Sequence, residues 1–79
     1  MNTTETYPNP SDGLFNIKLS QHPENYKQIN IYDIYGNKVF HKDNIYEHVI
    51  TIDFSDKHGI YIIEFILLDK IEFSRIIVK

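Results

Sequence analysis

Apolar and polar residues alternate along most of this chain. In "LFNIKL" Phe15, Ile17 and Leu19 fall on one side, and Asn16 and Lys18 on the other. A period of two predicts a half-buried strand. "SQHPENYKQ" breaks the pattern as a polar loop with Pro23 inside it. "INIYDI" resumes it, with Ile29 and Ile31 against Asn30 and Tyr32, and "KVFHK" returns beyond a Gly36-Asn37 turn pair. "DNIYEH" reads as a loop or irregular edge. "VITIDF" then sets Ile50, Ile52 and Phe54 against Thr51 and Asp53, and "SDKHG" turns the chain at Gly59.

The next run, "IYIIEFILL", is apolar on both faces. It predicts a central strand covered on both sides, or one whose outer face lies under a loop. Asp69-Lys70 supports a turn, and "IEFSRIIVK" is the last strand. No segment joins helical periodicity to a cap and adequate length. β-Branched and aromatic residues fill the apolar positions, which suits strands. Short strands at regular spacing, with turn signals between them, predict a small antiparallel sandwich.

Composition narrows the function classes. At 79 residues, with 42% hydrophobic side chains, the chain makes one domain with a thin core. Eight basic residues against eleven acidic ones give a net charge of −3. That balance gives no electrostatic reason to hold nucleic acid or an anionic membrane. With no cysteine there is no disulfide framework and no thiolate metal site. No apolar run spans a bilayer, so membrane insertion is not expected. The stretch "MNTTETYPNP" lacks the basic start and apolar core of a secretory signal.

Candidate chemistry is sparse. His22, His41, His48 and His58 show no ligand spacing, and the carboxylates are scattered through strands and turns. Ser11, Ser20, Ser55 and Ser74 lack a nucleophile-elbow context. No phosphate loop forms from three isolated glycines. The expectation is a domain without catalysis, metal or cofactor. Among the six tyrosines, Tyr32, Tyr35, Tyr46 and Tyr61 lie in or beside strands. An exposed coplanar row of them would make a sugar-stacking platform. Rings packed on the sheet with wet hydroxyls are the favoured account of them.

The most constrained stretch is "YPNPSDGLFNI". Tyr7 and Asn9 precede prolines and are pushed to extended backbone. Pro8 and Pro10 fix their own φ and donate no N–H. Ser11-Asp12-Gly13 then turns, with Gly13 suited to positive φ. The strip is a stiff lead-in to the first strand that also protects a sheet edge. It is equally a preorganised epitope that loses little entropy on binding.

Three motifs, "YPNPSDGLFNI", "INIYDIYGNKVF" and "GIYIIEF" followed by "FSRIIVK", occur in this order. Together they resemble the C-terminal sorting domain of the type IX, or Por, secretion system, from Tyr7 to Lys79. Pro8, Asn9, Pro10 and Gly13 match the first motif, and Asp33 and Gly36 the second. Gly59 and Tyr61 match the third, and Lys79 the terminal basic position. Two positions depart: Ser74-Arg75 replaces a basic pair, and Leu68-Asp69 replaces a glycine-bearing turn.

The resemblance implies an immunoglobulin-like antiparallel β-sandwich of about six to seven strands. It implies a secretion signal that directs a covalently attached upstream passenger through an outer-membrane translocon. A sortase-like surface peptidase would then remove the domain. The route would run through the periplasm to the cell surface or medium. Residues 1–6 would be a linker from the passenger, and 7–79 the sorting domain. The terminal segment Arg75, Ile76, Ile77, Val78 and Lys79 as a whole is expected to offer backbone groups to a partner strand, while Ile76 and Val78 individually close the core. The alternative reading is an accessory sugar-binding or spacer sandwich of a secreted enzyme.

Overall fold

The computed structural model describes residues 4–79. The alternating runs become β1 (Glu5–Tyr7), β2 (Leu14–Lys18), β3 (Tyr26–Tyr32), β4 (Lys38–Lys42), β5 (Val49–Asp53), β6 (Gly59–Leu67) and β7 (Ile71–Val78). A single 3-10 turn, Pro23–Asn25, precedes β3, and the described residues contain no α-helix. The strands form two antiparallel sheets, β1-β2-β5 and β4-β3-β6-β7. Their inward residues interleave in one core, so the fold is the expected immunoglobulin-like sandwich.

The core follows the period-two pattern. Phe15, Ile17, Ile50 and Ile52 are buried from the three-stranded sheet. Ile29, Ile31, Tyr61, Ile63, Phe65, Leu67, Ile76 and Val78 meet them from the other. Edge-on aromatic contacts, Phe15 to Phe54 at 5.7 Å and Phe54 to Tyr61 at 5.3 Å, join the layers.

β6 lies between β3 and β7, as its apolar composition predicts. Its inner face is fully buried. Outward-facing Ile62, Glu64 and Ile66 are half-buried beside their cross-strand neighbours Tyr32, Arg75, Asn30, Phe73, Gln28 and Ile71.

Three boundaries differ from the sequence pattern by more than one residue. β3 begins at Tyr26, inside the expected polar loop, because Tyr26 pairs with Leu67 and its buried ring meets Phe65 at 6.1 Å. Asp33 and Ile34 leave the strand and become part of the turn. In that turn Gly36 is the third loop residue rather than the first of a pair: its N–H donates to Asp33 C=O at 3.1 Å. A three-residue loop closed by a positive-φ glycine is a common hairpin solution, and Gly36 has φ +86°. Finally, Glu5 and Thr6, assigned to the linker from sequence, pair with Lys18 and Ile17. Met1–Thr3 lie outside the described residues.

One polar group on the outer face is buried. Asn30, expected to face water, is 1% exposed. Its Nδ2 donates to Gln28 Oε1 at 3.2 Å and Glu64 Oε1 at 3.0 Å. Both acceptors fix the amide orientation, so Asn30 Oδ1 receives the proton of His41 Nδ1 at 2.6 Å. This chain of bonds ties β4, β3 and β6 side by side.

The strand directions give the sandwich two distinct ends. One, the proximal end, carries Glu5, Ser20–Asn25, Asp43–His48 and Leu68–Lys70. The distal end carries Pro8–Gly13, Asp33–Asn37, Phe54–His58 and Lys79.

Gly13 is where the distal end is tightest. It has φ +127°, and an added Cβ would lie 2.6 Å from Ser55 Cα. Gly36 also has positive φ, but open space surrounds it. Gly13→Ala is therefore expected to cost roughly 3 kcal/mol, a conformational penalty plus a backbone shift. Gly36→Ala is expected to cost about 1–2 kcal/mol, from conformation alone. Urea unfolding of the two variants against the parent checks the difference; equal losses would contradict the close packing at Gly13.

Candidate functional site

The opening motif does not lie free. After β1 the chain leaves the three-stranded sheet at Tyr7 and crosses to the edge of β7. Both X-Pro bonds in it, Tyr7-Pro8 and Asn9-Pro10, are cis. The side chain of Asn9 acts there as a surrogate peptide group. Its Nδ2 donates to Arg75 C=O at 2.9 Å, and its Oδ1 accepts the Ile77 N–H at 3.1 Å. Ser11 continues the pairing with its backbone, as a parallel bridge to Val78. Its N–H donates to Ile77 C=O at 2.8 Å, and its C=O accepts the Lys79 N–H at 2.7 Å.

Ser11 is also the buried pivot of the strip, at 1% exposure. Its Oγ donates to Leu14 C=O at 3.0 Å and accepts the Gly13 N–H at 2.9 Å. Gly13 C=O in turn accepts the Phe54 N–H at 2.7 Å. Pro8, Asn9 and Pro10 themselves are exposed. The strip is thus a strap between the two sheets, held at its inner end and displayed along its outer one.

The second motif builds the neighbouring hairpin. Asp33 Oδ1 accepts the N–H groups of Tyr35 and Asn37, both at 2.9 Å, and Oδ2 accepts from Asn37 Nδ2 at 3.1 Å. The hydrogen bonds from Asn37, with Tyr35 and Gly36 adding to them, hold its carboxyl below the ordinary aspartate value. Asp33 is thus a turn-former of the distal end.

The third motif starts β6. Gly59 has φ +112° at the turn into the strand. Tyr61 is buried, and its hydroxyl donates to His58 C=O at 3.0 Å, back across the corner that joins the two sheets. This is the tyrosine-corner arrangement of immunoglobulin-like sandwiches. His58 Nδ1 lies 3.0 Å from the main-chain oxygen of Lys79, which closes the same corner onto the end of β7.

The terminal segment divides by face. Ile76 and Val78 are core residues, at 0% and 2% exposure. Arg75 and Lys79 are exposed, and Ile77 is half-buried on the outer face. Backbone groups of this segment are already used: Arg75 C=O, both groups of Ile77 and the Lys79 N–H pair with the strap. The Leu68-Asp69 departure is explained locally. Their turn is closed by Leu67 N–H to Lys70 C=O at 2.8 Å without positive φ, so no glycine is needed.

Nearly all motif positions therefore gather at the distal end. Pro8–Gly13, Asp33, Gly36, Gly59, Tyr61 and the last residues of β7 come together from separate parts of the sequence. Arg75 sits farther along, at mid-strand, opposite Ile62. Sequence reasoning singled out the residues without the bond between Asn9 and β7, which spans 68 positions. It also missed Ser11 as the pivot; the Ser-x-Gly spacing that lets Oγ meet the Gly13 N–H was the available signal.

The tyrosines do not assemble a platform. Tyr61 is buried and Tyr32 half-buried. Exposed Tyr35 and Tyr46 lie in turns at opposite ends of β4. His22 and His48 approach, with ring centroids 6.1 Å apart beside a shallow depression lined by Glu24, Ile45 and Tyr46. Among the described residues, no group of three or more His, Asp or Glu side chains is placed to hold a metal ion.

Asp33 gives the distal hairpin a pH dependence. A carboxyl held below its unfolded value stabilises the fold above that value and loses this contribution as pH falls through the folded one. Asp33→Asn keeps an acceptor oxygen but cannot titrate. The parent's advantage over Asp33→Asn at neutral pH is expected to shrink below about pH 4 and vanish in stronger acid. Urea midpoints of both proteins across that range check it; a constant difference would refute the role of the ionised carboxylate.

Comparison with known families agrees with this geometry. No curated protein matches the chain. The family model described as "Secretion system C-terminal sorting domain" matches residues 5–79, from the start of β1 to the end of the chain. The strap, the Asp33 hairpin, the tyrosine corner and β7 all fall within that match, and the chain belongs to this family, the C-terminal sorting signals of type IX secretion.

Proposed function

We propose that this domain is a non-catalytic address whose distal end is read by the type IX outer-membrane translocon. The observation that supports this is the gathering of the three motifs at the end opposite Glu5. A passenger joined ahead of Glu5 would meet the proximal end, so it would not cover the motif residues. The residues ahead of β1 would then connect passenger to domain. A sortase-like peptidase at the surface would cut in this connection, upstream of the strap. Passage through the periplasm would precede delivery to the surface or the medium.

Within this reading, Arg75 and Lys79 supply the exposed positive charge beside the strap. Neither side chain takes part in an ion pair among the described residues. Ile76 and Val78 act by holding β7 in the core, so their loss would unfold the domain rather than remove a contact. Deleting Ile76 to Lys79 is accordingly expected to abolish both folding and export.

The sharper test leaves the core intact. A periplasm-directed fluorescent reporter is fused ahead of residue 1 in a host with a working type IX system. Secretion of the parent fusion is expected to require the translocon; equal secretion from a translocon-deficient strain would refute the address. Arg75→Glu with Lys79→Glu is expected to lower secretion roughly tenfold, because charge reversal opposes docking. The melting temperature should change little, since both side chains are exposed. Undiminished secretion of that double variant would remove these charges from the recognition surface.

A further inference from the structure

The edge of β7 is occupied along only part of its length. Arg75 C=O, Ile77 N–H, Ile77 C=O and Lys79 N–H point away from β6 and meet the strap. The β6–β7 register runs without a shift from Gly59↔Val78 to Ile66↔Ile71. By the two-residue period of a strand, the N–H and C=O of Phe73 and the N–H of Arg75 face the same edge. β6 is the only strand that pairs with β7 among the described residues, so these groups meet no neighbouring strand. Beside them, Ile71 and Phe73 are 55% and 65% exposed. A shallow groove of about 380 Å³ lies there, lined by Ile62, Phe73, Ser74 and Arg75.

We propose that the β7 edge from Ile71 to Ile77 is a strand-docking site, and that Asn9 is a releasable clasp on its final two groups. This rests on the sorting-domain reading and extends the engaged surface from the distal end along the edge of β7 toward the proximal turn at Leu68–Lys70. The occupant is an extended strand of a partner polypeptide. Only a strand satisfies alternate N–H and C=O groups in a row. The parallel bridge from Ser11 shows that this same edge already accepts strand pairing, continuous with the open portion.

Side-chain chemistry narrows the partner strand. An apolar residue would cover Phe73 and fill the groove against Ile62. An acidic residue beside it would meet Arg75. Open, the edge offers Phe73 N–H and C=O and Arg75 N–H. Release of Asn9 adds Arg75 C=O and Ile77 N–H, which lengthens the ladder. The clasp is suited to release: Asn9 is exposed and holds by two side-chain bonds, whereas Ser11 is buried and keeps the strap attached. Until release, a side chain in place of a strand shields the edge from unwanted pairing.

The test uses the same reporter fusion and two backbone-directed variants. Phe73→Pro removes the outward N–H and blocks strand addition, and an edge position tolerates proline in the fold. Phe73→Thr keeps the N–H and serves as its control. Secretion of Phe73→Pro is expected to fall roughly tenfold below that of Phe73→Thr. Equal secretion would overturn the docking site.

Asn9→Ala supplies an arm that does not depend on Phe73→Pro folding. Hydrogen exchange at the Ile77 amide is expected to quicken about tenfold, with secretion unchanged or faster. A folded Asn9→Ala protein that is no longer secreted would overturn the clasp, because the partner would then be reading Asn9 itself. An unchanged Ile77 exchange rate would overturn it too. Failure of the unaltered fusion to need the translocon would instead refute the sorting reading, so the two failures are distinct.

Discussion

Four hydrogen bonds converge on Ser11, and the distal end depends on them. Two run from its backbone to β7, and two from its hydroxyl hold the turn into β2. A buried residue with every polar group satisfied is a firm junction, since each group would be costly to leave unpaired. Here the junction joins the two sheets at one edge of the sandwich. A chain of this size has little core to spare, so a polar tie between layers adds order that apolar area alone supplies only weakly. Gly13 follows from it. Its chain must turn against Ser55 within a space that excludes any Cβ.

The other two motifs build the same end by different physics. Asp33 organises its hairpin with a carboxylate that gathers backbone donors. Tyr61 buries its ring against Phe54 and spends its hydroxyl on the corner before β6. A charged cap, a buried aromatic and a side-chain clasp thus converge on one surface. At this end the strap covers the edge of β7, with Lys79 exposed beside it and Arg75 exposed farther along, at mid-strand.

The outer face of the larger sheet shows where local reading falls short. Asn30 sits at an outward position, and alternation places it in water. Its burial comes from Gln28, His41 and Glu64, on its own strand and on strands 11 and 34 positions away. Only pairing brings those side chains within reach. Tyr26 is similar: it lies in a polar run, yet its partner across the sheet is Leu67. In both cases a cross-strand neighbour outweighs the local pattern.

The sequence by itself determined the strand character, the inward residues and the turn positions, because a period of two and positive-φ glycines are local properties of the backbone. It also carried the family, through three motifs whose order survives in one dimension. Tertiary structure alone decided that Pro8–Ser11 lies along β7 and that all three motifs share an end. Those facts depend on which strands neighbour one another across two sheets, and strand order is set by long-range pairing. The Asn9 side chain imitates a peptide group for a strand 66 positions later, and nothing near Asn9 in the sequence encodes that partner.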